Sequence, residues 1–229
     1  MCGRFTLATV PEIVAEFFEL AAVPDLSPRY NIAPTQPAPA ILVASERPAR
    51  RFSLLRWGLI PGWAKDPTIG NRMINARAET VAEKPAFRSA YRRRRCLVVS
   101  DGFYEWQKGP ARKQPFYILM RDDRPFAFAG LWEHWEGEDG TTIDSCALLT
   151  TRPNDVLRPI HDRMPVILHP ANYDLWLDPE MDKIDRLEPL LCPYPAEEMK
   201  AFPVSTRVNS PTRDDPGCIE PCGVPGLPL

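Results

Sequence analysis

The sequence predicts a single α+β domain whose core is a mainly antiparallel, strongly curved or barrel-like sheet flanked by short helices. Three observations predict it. Five runs rich in β-branched and aromatic residues recur at spacings of roughly ten residues between Cys96 and Thr150, the rhythm of short strands joined by turns. The 27 prolines are about twice the usual share, which favours fixed turns and edge strands over long helices. The 229 residues suffice for one large core, and neither an internal repeat nor a long linker divides them.

Taken in order, residues 10 to 21 place Ile13, Val14, Phe17, Phe18 and Ala21 at helical spacing, with Pro11 suited to a first turn. A proline-rich link through Pro24 and Pro28 leads to Arg29–Thr35, which reads as an irregular loop. Strands are predicted over Ala40–Ala44 and Phe52–Leu59, and Ile60-Pro61-Gly62-Trp63 turns out of the second. Met73–Thr80 leads into a helix-like stretch, and another begins near Pro85 and carries Phe87 and Tyr91. Then come the five strands: Cys96–Ser100, Phe103–Gln107, Pro115–Met120, Phe126–Trp132 and Ser145–Thr150. A short helix is expected around Asn154–Arg158, a strand over Val166–Leu168, a helix near Ala171–Leu177, and a proline-rich surface run from Val204 to Leu229.

With 44% hydrophobic and 25% charged residues the composition is that of a globular protein, and no apolar run reaches the roughly 18 residues of a membrane span. No secretory leader is recognisable. The expected location is therefore cytoplasmic, at the nucleoid in a bacterium or in the nucleus of a eukaryote. The six cysteines show no tight framework, which suits reduced thiols. Cys218-x3-Cys222 lacks a nearby histidine or a second pair, so neither a metal nor a cofactor is expected. The net charge of −2 conceals an asymmetry: Arg47–Arg95 holds thirteen basic and three acidic residues, and Ala171–Leu229 holds five basic and eleven acidic. Such a distribution suits a basic face for a polyanion, or charges that neutralise one another in three dimensions.

The chemistry centres on the first residues, Met1-Cys2-Gly3-Arg4-Phe5. Removal of Met1, which a small second residue permits, gives Cys2 a free α-amine beside its thiol. An α-amine has a pKa of about 7.7 to 8.0 against about 10.4 for Lys, so near neutrality it attacks a carbonyl without a desolvating pocket. An aldehyde condensing with that amine gives a Schiff base, and the thiol then closes a thiazolidine on the same carbon. Three further polar residues stand in unusual contexts. Glu105 lies mid-strand among aromatics, where burial would raise its pKa into the proton-transfer range, or it points to water from the outer face of the sheet. His161 lies in a loop between Arg158 and Arg163, suited to acid or donor work or to structure, and Asn75 offers a neutral amide or a turn.

Six motifs stand in order along the chain: Met1-Cys2-Gly3-Arg4-Phe5, Arg29-Tyr30-Asn31-Ile32-Ala33-Pro34, Trp57-Gly58-Leu59-Ile60-Pro61-Gly62-Trp63, Asn75-Ala76-Arg77-Ala78-Glu79-Thr80, Asp101-Gly102-Phe103-Tyr104-Glu105-Trp106 and His161-Asp162-Arg163-Met164-Pro165-Val166. Together they strongly resemble the SRAP family, the SOS-response-associated peptidase proteins that shield abasic sites in single-stranded DNA. The resemblance runs from residue 2 to about residue 220 and makes residues 1–229 one domain, with 221–229 a tail to which it gives no role.

It implies that Cys2 is the crosslinking nucleophile, that Asn75 holds its α-amine, that Glu105 is the acid/base, and that His161 assists opening of the deoxyribose. It further implies a cleft for single-stranded DNA and its junctions, with Arg4, Arg77 and Arg163 on phosphates and Asn31, Pro34 and Trp63 shaping the lesion pocket. Ala64 follows the loop tryptophan where some relatives carry a second aromatic. A near single-turnover monomer is expected. Two other readings stay open: an amino-terminal-nucleophile amidotransferase or peptidase, and a non-catalytic single-strand binder that uses the arginines and stacking on Trp63.

Overall fold

The computed structural model describes residues 2–44, 47–109, 112–181 and 183–223. Its elements in chain order are β1 (Phe5–Leu7), α1 (Pro11–Phe17), β2 (Arg29–Ile32), β3 (Pro37–Ala44), β4 (Arg47–Trp57), β5 (Asn75–Arg77), α2 (Arg88–Arg93), β6 (Arg95–Ser100), β7 (Gly102–Lys108), β8 (Lys113–Met120), β9 (Phe126–Glu136), β10 (Thr142–Thr151), β11 (Met164–Pro165), β12 (Ile167–Leu168), α3 (Tyr173–Leu177), α4 (Ile184–Leu187) and β13 (Met199–Pro203). Short 3-10 turns fill several connections.

Five of these strands close on themselves. The pairing runs β10-β4-β3-β6-β9 and returns from β9 to β10, a five-stranded barrel that leaves none of the five an open edge. All of its pairings are antiparallel except β10 with β4, and β5 also joins β10 in parallel, Leu148 opposite Asn75. A parallel neighbour requires a long crossover, and the chain between β4 and β10 supplies one. Strand β6 is buried at all six positions because its outer face lies under α2 and α3, where the Trp176 indole donates to the Cys96 carbonyl at 3.0 Å. That double burial explains why Cys96–Ser100 reads as an unbroken apolar run.

The second sheet is antiparallel, in the order β13-β8-β7-β1-β2. One face packs on the barrel: Phe5 meets Trp57 edge-on at 5.1 Å and Phe128 at 5.8 Å, and Phe103 meets Phe128 at 5.8 Å. The other face carries Tyr104 and Tyr117 into a smaller cluster with Val204, Val208 and Cys218. The architecture is the expected α+β domain with a curved antiparallel core.

Several local expectations are corrected. Residues 29–32 form β2 instead of an irregular loop, because they pair with β1, with Ile32 opposite Phe5, and Asn31 is buried under the chain after Val204. The first helix covers Pro11–Phe17 only, and Ile13 faces solvent. Asn75–Arg77 is a strand followed by a 3-10 turn, Asn154–Arg158 is a run of turns, and Met199–Pro203 is a strand that the sequence did not signal. The chain after Val204 is not a mere surface run, since Val204, Val208 and Cys218 are fully buried. Residues 224–229, the end of the expected tail, lie outside the described residues.

Candidate functional site

Strand pairing delivers the start of the chain to Glu105. Phe5 faces Phe103 and Thr6 faces Gly102, so the same antiparallel register carried back two residues sets Gly3 opposite Glu105. Alternation along β7 then puts Glu105 on the face of Phe103, toward the barrel, and Tyr104 on the opposite face. The register is fixed by Asp101, whose carboxylate accepts from Thr6 Oγ1 (2.5 Å), Ala8 N (2.6 Å) and Thr9 N (2.7 Å). Thr6 Oγ1 also lies 2.9 Å from the Tyr117 hydroxyl. Tyr117 approaches so closely that a Cβ on Gly102 would stand 2.1 Å from its oxygen, which is why that position is glycine.

Cys2 is 0% exposed and belongs to the main core cluster. Asn75, at the start of β5, donates from Nδ2 to the Cys2 carbonyl at 2.8 Å, and its buried Oδ1 accepts no hydrogen bond from the described residues. Asn75 therefore grips Cys2 through its carbonyl, where the resemblance implied a hold on the α-amine. Met1, whose removal the sequence reading requires, lies outside the described residues.

Glu105 is 2% exposed, and burial pushes its carboxyl up to about 7. His161 Nε2 lies 3.9 Å from Glu105 Oε2. At the other ring nitrogen, Nδ1 accepts from Arg163 N at 3.0 Å and also stands 3.0 Å from Asp162 Oδ1. A backbone N–H can only donate, so toward Arg163 N the Nδ1 atom is the acceptor, while Nε2 is the ring nitrogen that faces Glu105. Burial also holds the His161 pKa below its ordinary value, which favours the uncharged ring near neutrality. The Cys2 thiol is pushed well above the thiol range, first by burial and then by the nearby Glu105 charge. The site thus joins a carboxyl poised to give or take a proton, an imidazole beside it and a thiol kept protonated.

Of the expected DNA contacts, Trp63 is 62% exposed at the tip of its turn. The turn is braced from behind by Ile60, Ala64 and Trp135, with the Trp135 indole donating to the Ala64 carbonyl at 2.6 Å and Ile60 N to Ser145 Oγ at 2.8 Å. Beside Trp63 is an open cavity of about 530 Å³ lined by Lys65, Thr68, Asn71 and Arg72. Arg77 is exposed at the end of β5, Pro34 is half-buried, and Arg4 is half-buried with one guanidinium nitrogen donating to the Gly3 carbonyl at 2.9 Å.

Two residues are employed otherwise than expected. Asn31 is fully buried, and its Nδ2 reaches the carbonyls of Val208 (3.2 Å), Ser210 (2.9 Å) and Arg213 (2.7 Å), so its amide fastens the chain after Val204 to β2 and faces no open surface. Arg163 is bound by both arms to the Glu79 carboxylate, at 2.6 and 2.9 Å, and to the Thr150 carbonyl at 2.6 Å. Glu79 was the residue sequence reasoning missed: it stands in the Asn75–Thr80 motif, but nothing local marks it as the partner of an arginine 84 positions away. Among the described residues no group of three or more His, Cys, Asp or Glu side chains gathers as metal ligands would, and no helix is long and apolar enough to cross a membrane.

Comparison with known proteins agrees along nearly the whole chain. Abasic site processing protein YoqW of Bacillus subtilis is 45% identical over 224 residues, covering 96% of this chain and 99% of that protein. Abasic site processing protein YedK of Escherichia coli is 31% identical over 230 residues, covering 96% and 100%. The crystal structure of a protein from Bacteroides thetaiotaomicron superposes with a TM-score of 0.85 at 28% identity, covering 96% of this chain and all of that one. Residues 1–211 match the SOS response associated peptidase family, SRAP. By this match and by the relatives' identity over most of its length, the chain belongs to the SRAP family.

Proposed function

We propose that this protein processes abasic sites in single-stranded DNA by forming a covalent crosslink through Cys2 once Met1 has been removed, and so shields the lesion. The abasic-site substrate is suggested by the names of the relatives, abasic site processing proteins at 31–45% identity. The crosslink is suggested by one juxtaposition: a second-residue cysteine, buried and held at its carbonyl by Asn75, lies close enough to Glu105 to feel its charge, and His161 stands 3.9 Å from the same carboxylate.

In the proposed reaction the α-amine of Cys2 adds to the C1′ aldehyde of the ring-opened sugar. Water leaves to give the imine, and sulfur adds to the same carbon to close the thiazolidine. Nitrogen attacks first because the buried thiol stays protonated. Glu105, with a pKa of about 7, takes the ammonium proton, returns one to the departing hydroxyl, and accepts the thiol proton at closure. Neutral His161, with its Nε2 beside that carboxyl, assists sugar opening by donating to the ring oxygen. Net loss is one water, and the bound DNA strand remains intact. Arg4, Arg77, Arg163, Trp63 and Pro34 would guide the strand. The action is near single-turnover unless the ring reopens.

Intact-mass analysis after mixing with uracil-excised single-stranded DNA tests this. Wild type is expected at the summed mass less one water and without Met1, and C2A is expected unmodified. A stable adduct in C2A would overturn the assignment.

A further inference from the structure

Arg163 is held in two unlike ways. One amine of its guanidinium donates to the Thr150 carbonyl on the buried strand β10, an anchor that belongs to the barrel. The whole fork also pairs with Glu79, whose side chain is 51% exposed while that of Arg163 is 16% exposed. The Glu79 carboxylate therefore sits on the solvent side of an arginine fixed from beneath. A carboxylate in bidentate contact presents two oxygens in nearly the geometry of two phosphodiester oxygens, and guanidinium binds both groups in the same fork. Arg77, exposed two residues before Glu79 at the end of β5, brings a second cation to the same rim. From Arg163 the connection to the reacting groups is short, because its backbone N–H donates to His161 Nδ1.

We propose that Glu79 is a built-in phosphate surrogate: its carboxylate holds Arg163 in the pose used for a DNA phosphodiester, and the phosphodiester displaces it when the strand binds. The inference rests on the single-stranded DNA reading above. Glu79 keeps the fork pre-oriented and lowers affinity for DNA, because each binding event must break the internal pair. The Thr150 anchor persists through the exchange, so the guanidinium and the adjoining His161 loop keep their place while the anion changes. The carboxyl of Glu79 is held below its usual range chiefly by the hydrogen bond from Arg163, so it competes as an anion throughout the neutral region.

The test is a double-mutant cycle read by fluorescence anisotropy with a labelled, base-complete single strand, to which no crosslink can form. E79Q is expected to tighten binding about three- to tenfold at low ionic strength, the range of an ion pair that is partly shielded from solvent, with the gain shrinking as salt is raised from about 50 to about 200 mM. In the R163Q background, and in R163K as a second background that keeps the charge without the fork, the gain from E79Q should fall below about twofold, because there is no longer a fork to release. Equal gains in all backgrounds would mean that Glu79 acts as a distant repelling charge, and unchanged or weaker binding by E79Q would mean that it only braces the loop; either overturns this inference and leaves the DNA reading standing. A wild type with no measurable affinity for the strand overturns the DNA reading and this inference with it.

Discussion

Burying a carboxyl group has a cost whose pH dependence can be worked out for Glu105. Its proton is held more tightly in the folded state, at a pKa of about 7, than in the unfolded chain, at 4.5. The folded form therefore takes up a proton that the unfolded form has already released between those values. Stability is greatest below about pH 4.5 as far as this residue is concerned, falls as pH rises toward 7, and is level above that. E105Q removes the ionisation and keeps the shape. It is expected to be more stable than wild type above pH 7 by about 3 kcal/mol, with the difference vanishing toward pH 4.5. Denaturant titrations at pH 5 and pH 8 measure this, and the same variant should form the abasic-site adduct at least about tenfold more slowly. A variant less stable than wild type at pH 8 would mean that the carboxylate is a structural anchor. The sequence made this residue visible through its aromatic neighbours, but its orientation was not legible: β7 has one face on the barrel and one under the terminal chain, so both faces are apolar and alternation does not distinguish them.

Elements joined by side chains from distant residues were the ones the sequence concealed. The five strands between Cys96 and Thr150 were legible because each carries its own apolar run. Strand β2 was not, because Arg29-Tyr30-Asn31-Ile32 has loop-like chemistry and owes its form to pairing with β1 and to Asp214, which accepts from Tyr30 N and Asn31 N at 2.5 and 2.8 Å. The Trp63 turn shows the same dependence on remote groups. Gly58, at φ +131°, and Gly70 pack backbone to backbone, and a Cβ on Gly58 would stand 2.5 Å from the Gly70 carbonyl oxygen. Arg56 fastens the same crossing by donating to Gly58 O at 3.3 Å and Asn71 Oδ1 at 2.6 Å. G58A meets both a backbone conformation that disfavours side chains and a clash that only chain movement relieves, so it is expected to cost about 2–4 kcal/mol. Because the strain falls at the root of the turn, emission from exposed Trp63 and affinity for single strands should change together. Unaltered affinity in a folded G58A protein would show that the turn does not need this bracing.

At the scale of the whole molecule the basic half of the sequence turns out to be partly internal wiring. Arg94 pairs with buried Glu133, Arg95 is buried and donates to the carbonyls of Tyr91, Arg92 and Trp176, and Arg50 bridges Glu19 and Asp174. The excess of +10 between Arg47 and Arg95 therefore overstates the charge offered to a polyanion, which composition could not reveal. The acidic end of the chain is wired inward as well: Asp214 pairs with Arg29, and Asn31 gathers the carbonyls of Val208, Ser210 and Arg213, so that residues 204–221 are strapped over the outer face of the second sheet. An amide nitrogen has two hydrogens for those three acceptors, the 3.2 Å contact being the weakest share. N31A leaves buried carbonyls without their donor and is expected to cost about 2–4 kcal/mol. The loss should be local, because the strap touches the second sheet on the face away from the barrel. Hydrogen exchange should then quicken across residues 204–221 and in β2, while β6 and β10 keep their protection. If the barrel strands in N31A exchange as fast as the strap, the strap and the barrel unfold as one unit, and the chain after Val204 is part of the cooperative core that holds Cys2 against Glu105.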